Sequence, residues 1–466
     1  MGILQHGAAI PSGASSYVID HSVKLEDTAG EHLRRNAGGS DGNRRTMTLS
    51  MWLKRTQPGN DHIFFSQGSH VRFRFKSSDY FSLRLANGHE FEHQARLFRD
   101  PNAWMHLVVA IDTTQGTASN RVKIYWNGVQ ETNLPDANQP PDQNEQLTLG
   151  QFSSVTTQVG WFVEGGYGFD GYISEVNYID GIQKAPTDFG EFNSDGIWTP
   201  IEYEGSYGNE GYFLNFISPS DMGNDNSGNN NDFAVESVNQ NDQATDTPTN
   251  NFCTLNPLIP YAVQSGSPVI SQGATYHNGS GGWTGMKGTI GINKGKWYWE
   301  LQTNSGSGGD LIYGVQTVEI INSQSESTAT SAHNLKETAA WYVSGGHWIA
   351  DQTSNRDDVA ASSVSHTVGN SVVYGIGLNM DDGEVTYYAN GSAITNLTNI
   401  DLDGLAGETV APFCSVYNQA VRWNLGGYTT ISISSAATDA NGYGTFEYAP
   451  PSGYYSLCTQ NLAQYG

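Results

Sequence analysis

The stretch RVKIYWNGVQ, Arg121 to Gln130, reads as a strand running into an Asn-Gly turn. Asn and Gly both tolerate positive φ, which a type I′ hairpin needs if the strand twist is to continue through the turn. Glu384 to Ala393, EVTYYANGSA, writes the same sentence in the other half of the chain. Two hairpins of one kind, far apart, are what two sandwiches of related design would leave in a sequence.

The surrounding segments extend this pattern. RTMTLSMWLKR (Arg45 to Arg55) sets Met47, Leu49, Met51 and Leu53 on one face, and Thr48, Ser50, Trp52 and Lys54 on the other. HVRFRFKS points Val71, Phe73 and Phe75 inward and Arg72, Arg74 and Lys76 outward. WMHLVVAIDTT (Trp104 to Thr114) is apolar enough for a strand covered on both faces, and GYISEVNYID (Gly171 to Asp180) alternates again. Past Ser218 the character changes: DMGNDNSGNNNDF and NQNDQATDTPTNN are turn-forming, and 218–272 reads as an Asn/Asp/Ser-rich linker ordered only by contact. Strand patterns then resume with GKWYWELQT, VVYGIGLNMDDGEVTYYANGSA, VAPFCSVY and VRWNLGG. Only NLKETAAWYV (Asn334 to Val343) has helical spacing. TPTNNFCTLNPL and PPSGYYSLCTQNL echo one another, which suggests that a similar peptide closes each unit.

The chain has 466 residues, too many for one compact domain. The expected division is an arm over 1–14, a sandwich over 15–217, the linker over 218–272 and a second sandwich over 273–466. A net charge of −25 repels a phosphate backbone, so nucleic acid is not an expected partner. No apolar run is long enough for a membrane span, and no basic segment precedes an apolar one as in a secretory signal. Cys253, Cys414 and Cys458 are an odd set, unsuited to a disulfide framework.

The first group of strands, from about Ser15 to Phe216, resembles the concanavalin A-like, laminin-G-like jelly roll. GKWYWE, YGIGLNMDDGEVTYYANG, VAPFCSVY and RWNLGG follow the order of a SPRY domain, another sandwich of that type. RDPNAWMHLVVAIDTTQGTASNRVKIYWNGVQ, YIDGIQKAPTDFGEF, GIWTPIEYEGSYGNEGYFLNF and DTPTNNFCTLNPL, followed by a SPRY-like unit, resemble structural proteins of marine tailed bacteriophages. The resemblance implies an all-β fold of two jelly-roll sandwiches in a virion protein: a tail fibre, tail appendage or capsid decoration. Such a protein is made in a host cytoplasm without a signal peptide. Its expected partners are other virion proteins and a host-surface glycan or receptor, and an oligomer of unspecified order is expected.

The rival readings are a glycan depolymerase and a lectin-like adhesin of cellular or prophage origin. Hydrolysis needs two carboxyls flanking one bond, and neither Glu175 nor Glu300 begins the Glu-x-Asp-x-(x)-Glu strand of jelly-roll glucanases. No catalytic residue, metal or cofactor is assigned, and the chain is read as non-enzymatic. His89, Glu90, Glu92 and His93 match no zinc spacing, and DNSGNNND (Asp225 to Asp232) lacks the acids of a calcium loop. Cys414 reads as a small buried group. Binding leaves a fuller trace: Trp161, Trp283 and Trp348 stand among glycines and polar residues, where an indole can stack on a sugar. Trp52, Trp297, Trp299 and Trp423 lie in strand patterns and are assigned to core or sheet surface.

Overall fold

The structure is a computed structural model that describes residues 17–85, 88–132, 140–162, 164–258, 267–280, 282–303, 311–318, 337–343, 347–350, 355–359, 369 and 372–466. The expected arm over 1–14 lies outside the described residues. Those described divide into two compact units at Asn250/Asn251.

In the first unit an eight-stranded antiparallel sheet runs from Val129–Gln130 through Val122–Trp126, Trp104–Asp112, Thr46–Arg55, Gly171–Asp180 and Ser22–Leu25 to Gln243–Ala244. Tyr212–Leu214 pairs on Gly171–Asp180 beside this path. A seven-stranded sheet faces it, in the order Ala234–Glu236, His32–Arg35, Thr157–Val159, His62–Gln67, Val71–Phe75, Phe81–Arg84, Glu90–His93. The alternation works as the sequence predicts: Met47, Leu49, Met51, Leu53, Val71, Phe73 and Phe75 all enter one core. Trp126, which ends the opening strand, is buried against Phe98, Phe81 and Phe75 at ring separations of 4.5, 5.3 and 5.9 Å. Each such pair adds about 0.5–1.5 kcal/mol beyond the area it buries.

The second unit repeats the weave. Its nine-stranded sheet runs Ser267–Ser271, Tyr276–Ser280, Ala420–Asn424, Lys296–Thr303, Val373–Asn379, Glu384–Ala389, Ser392–Ala393, with Ile400–Asp401 and Tyr455–Ser456 beside the path. A six-stranded sheet runs Trp283–Lys287, Val410–Tyr417, Leu311–Thr317, Thr338–Tyr342, His347–Ala350, Asn355–Val359. Trp297, Trp299 and Trp423 are in its core, with Cys414.

The two Asn-Gly turns prove to be the same device. Asn127 and Gly128 have φ of 48° and 77°, and Asn390 and Gly391 have 46° and 74°. In the first unit the Asn127 N–H donates to the His106 carbonyl at 2.9 Å, and Asn127 Oδ1 accepts from the His106 N–H at 2.7 Å. In the second, Asn390 makes the same two bonds with Val373, at 2.8 and 2.9 Å. Each asparagine therefore stitches its hairpin to the next strand. Each glycine lies under a ring: a Cβ on Gly128 would come 2.3 Å from Trp198, and one on Gly391 2.6 Å from Tyr448.

Three expectations are corrected. The linker over 218–272 does not stand apart from the sandwiches: Ala234–Glu236 and Gln243–Ala244 join the two sheets of the first unit. Its polarity misled because the aspartates are buried partners. Asp246 meets Lys54 at 2.6 Å and Asp242 meets Lys24 at 2.9 Å, both lysines fully buried. The described part of the helical stretch is the strand Thr338–Tyr342, while the α-helix is Thr459–Tyr465. The two echo peptides do not close separate units. Phe252 bridges Cys458, the Cys253 N–H donates to Leu457, and the Thr459 N–H donates to Asn251, so they pair with each other within the second unit.

Candidate functional site

The three tryptophans singled out from sequence stand in strands. Trp161 opens a two-residue strand, Trp161–Phe162, that pairs with Tyr167–Gly168 in a short hairpin. Gly168 opposite it leaves room for the indole, since a Cβ there would come 2.8 Å from the ring. The indole stacks on His32 at 5.6 Å, and the Ser66 hydroxyl donates to the Trp161 carbonyl at 2.7 Å. Burial holds the His32 imidazole below its ordinary pKa. Tyr167 of the same hairpin is 50% exposed, and Phe162 is buried beneath the Arg72 guanidinium.

Trp283 begins the strand Trp283–Lys287 and is paired with Tyr417. Its ring meets Tyr417 at 5.7 Å and Tyr342 at 6.0 Å, over a buried floor of Ile312, Ala340 and Phe413. These residues share the face of the six-stranded sheet turned away from the core, because Tyr313, Val315, Trp341, Cys414 and Val416 take the alternate positions inside. Tyr417 is 43% exposed. Gly282 beside Trp283 donates its N–H to Asn418 Oδ1 at 2.9 Å. Trp348 pairs in register with Ala340, and its side chain lies outside the described residues.

The structure therefore gathers rings that sequence reasoning left separate. His32 attends Trp161, and Tyr342 and Tyr417 attend Trp283. Tyr417 was legible in part: in APFCSVY it has the parity of Phe413, opposite to Cys414 and Val416. Tyr342 was hidden by the helical reading of its segment.

The acids take other roles. Glu175 has φ of 51° at a bulge where the register of Gly171–Asp180 against Thr46–Arg55 shifts between Ser174 and Asn177. Burial, reinforced by Glu202, pushes its carboxyl up to about 8 against the hydrogen bond from the Tyr17 hydroxyl at 3.1 Å. It can hold a proton at neutral pH, but it is only 8% exposed. Glu300 is fully buried and accepts from the Glu447 N–H, the Tyr448 N–H, Asn424 Nδ2 and the Tyr298 hydroxyl. Burial raises it to about 7 despite those four donors. His89 pairs with Glu145 at 3.0 Å and His93 with Glu131 at 3.1 Å. Asp225 accepts from the N–H groups of Phe213, Ser227 and Asn231, as a turn-organising aspartate does. Burial pushes the Cys414 thiol far up, which makes it inert.

No curated protein matches the chain. Among solved structures, the SPRY domain of human HERC1 aligns at 13% identity over 36% of this chain and 96% of its own, with a TM-score of 0.28. A heptameric SAP-like pentraxin from Limulus polyphemus aligns at 15% over 36% and 80%, with a TM-score of 0.27. The TRIM65 PSpry domain aligns at 10% over 37% and 92%, with a TM-score of 0.26. A laminin-G family profile, described as the concanavalin A-like lectin/glucanases superfamily, matches residues 27–182. Those residues lie on the facing sheets of the first unit, and the match agrees with a concanavalin A-like, laminin-G-like sandwich fold for that part of this all-β chain.

Proposed function

We propose that this chain is a non-enzymatic recognition protein of a tailed-phage particle, one that binds host-surface glycan through aromatic platforms on its sandwiches. The observation that carries the reading is the Trp283–Tyr342–Tyr417 cluster on a sheet face turned from the core. Three rings over an apolar floor, with Tyr417 43% exposed, offer the flat apolar surface on which a pyranose stacks. Trp161 stacked on His32 is a second, smaller platform. The concanavalin A-like domain is compatible with this use, and the virion setting rests on the sequence resemblance to phage structural proteins.

Titration of the full chain with host-surface oligosaccharides tests the binding claim. Trp283→Ala and Tyr417→Ala are expected to weaken binding at least about tenfold with the fold intact, as loss of a central aromatic contact does. Unchanged affinity in both would remove the platform from the account. Mass spectrometry of purified particles tests the setting, and a particle without this chain would refute it.

The depolymerase reading would need an acid such as Glu175, which burial pushes up to about 8 but leaves only 8% exposed. Release of reducing ends from host polysaccharide, abolished by Glu175→Gln, would establish it in place of simple binding.

A further inference from the structure

We infer that the outer face of the first unit's seven-stranded sheet holds a site for an acidic sugar, with Arg72 and Arg84 gripping its carboxylate or sulfate. The inference rests on the glycan-recognition reading above and specifies its ligand at a place apart from Trp283.

The register puts one line of residues across the sheet. Ser66 pairs with Arg72, Arg72 with Arg84, and Arg84 with Glu90. Two arginines directly opposite on neighbouring strands repel one another, an arrangement that destabilises a sheet. Neighbouring acids pull on Arg72 through space, but none pairs with either arginine's side chain among the described residues. Glu90 Oε1 is shared by Ser82 Oγ at 3.1 Å and Arg74 at 3.4 Å. Glu90 and, on the hairpin, Glu164 add only a through-space pull on Arg72. Among the described residues the side chain of neither Arg72 nor Arg84 forms an ion pair or hydrogen bond, and Arg72 Nε is buried without a partner. A chain with 47 acidic against 22 basic residues could have paired them at little cost.

The surroundings indicate what the pair is for. The Arg72 guanidinium lies over the Phe162 ring at 5.0 Å, within cation–π reach. A planar guanidinium fork matches a carboxylate or a sulfate ester in two-point contact, and two forks side by side can hold one such group from both flanks. Phe162 belongs to the hairpin that carries Trp161 and the exposed Tyr167. An anion grip beside an aromatic surface fits a sugar ring bearing an acidic substituent. The net charge of −25 argues against a dense polyanion, because a long charged strand would meet repulsion everywhere beyond this doublet. A short saccharide that presents one acidic group to the doublet is the better match.

The test is calorimetric titration of the full chain with four probes: an oligogalacturonate, a sulfated galactan oligosaccharide, a neutral cello-oligosaccharide and a single-stranded oligonucleotide. At least one acidic sugar is expected to bind, and the one that binds more tightly distinguishes carboxylate from sulfate. The double variant Arg72→Gln/Arg84→Gln is expected to weaken that binding at least about tenfold. It should leave any neutral-sugar binding through Trp283 unchanged, and its thermal midpoint should equal or exceed that of the parent, because the repulsion is gone. Three outcomes overturn the inference: acidic-sugar binding indifferent to the double variant, a midpoint several degrees lower, or an oligonucleotide bound as well as the sugars. Neutral binding without acidic binding refutes this site alone. If no saccharide binds at all, the glycan reading fails and this inference with it.

Discussion

The outer face of the sheet around Thr46–Arg55 in the first unit and that of the sheet around Lys296–Thr303 in the second start from one weave and end with different chemistry. Ser50 and Glu300 occupy matching places. Ser50 stands between Val108 and Asn177, and Glu300 between Gly375 and Asn424, each on the strand next to the one stitched by the Asn-Gly turn. Around Ser50 the face closes with neutral rings. His106 stacks between Trp52 at 4.6 Å and Trp198 at 6.0 Å. Its tautomer follows from its partners: the Trp198 indole can only donate, so Nδ1 accepts and Nε2–H donates to Ser50 Oγ. In the second unit Glu300 takes hold of the backbone of Glu447 and Tyr448 directly. A covering segment can thus be fastened by stacked rings or by one carboxylate accepting main-chain N–H groups. The first unit adds ion pairs: Lys54 to Asp246, which also accepts from the Trp104 indole, and Lys24 to Glu31 and Asp242.

The sharpest way to break this comparison is to remove one fastening from each unit. Asp246→Ala removes the carboxylate paired with the fully buried Lys54 ammonium and is expected to cost about 3–5 kcal/mol, the usual penalty for breaking a buried pair. Chemical denaturation followed by near-ultraviolet circular dichroism should show the loss in the first unit's transition. Glu300→Ala leaves two main-chain N–H groups and Asn424 Nδ2 without that acceptor, and about 3 kcal/mol should be lost from the second unit. If either substitution lowers both transitions equally, the units do not hold their covers independently.

Much of this architecture was legible in the sequence because period-2 alternation survives wherever one face is core and the other is not. Met47 to Leu53 and Val71 to Phe75 declare their burial without any knowledge of partners. What was illegible is what depends on burial of polar residues. Asp242 and Asp246 sit in a stretch with the composition of a linker, and only the fully buried Lys24 and Lys54 explain them. Arg72 reads as an ordinary outward residue, and its confrontation with Arg84 is a property of register. The same holds for Trp283 and Tyr417, neighbours in space on strands widely separated in the chain.

pH separates the two fastenings by sign. His106 is driven down to about 3 from 6.5 by burial, so the stability it carries is complete above 6.5 and is lost as pH falls from 6.5 toward 3. Glu300 is raised from 4.5 to about 7, so its share is complete below 4.5 and is lost as pH rises from 4.5 to about 7. Glu175 and His277 also shift, to about 8 and about 4, so the measurement is a difference between parent and variant. His106→Gln should flatten the acid side of the first unit's stability profile. Glu300→Gln should flatten the second unit's decline between 4.5 and 7, each by on the order of 2 kcal/mol across its window. Two flattened profiles of the same sign would contradict the assignment.

The smallest expected effect tests what the units share. Asn127→Ala and Asn390→Ala each place a Cβ-bearing residue at a φ near +47°, where asparagine is tolerated better than alanine, and each deletes the side-chain acceptor of one N–H on the neighbouring strand. The two terms together amount to about 2 kcal/mol, and since the geometry is the same to within a few tenths of an ångström, the costs should agree within about 0.5 kcal/mol. Asn→Gly at either position restores the backbone freedom but not the acceptor, so it should recover about half. A large inequality between the two alanine variants would mean that the rings above Gly128 and Gly391, Trp198 and Tyr448, matter more than the stitch. The two hairpins would then be alike in sequence and backbone but different in what stabilises them.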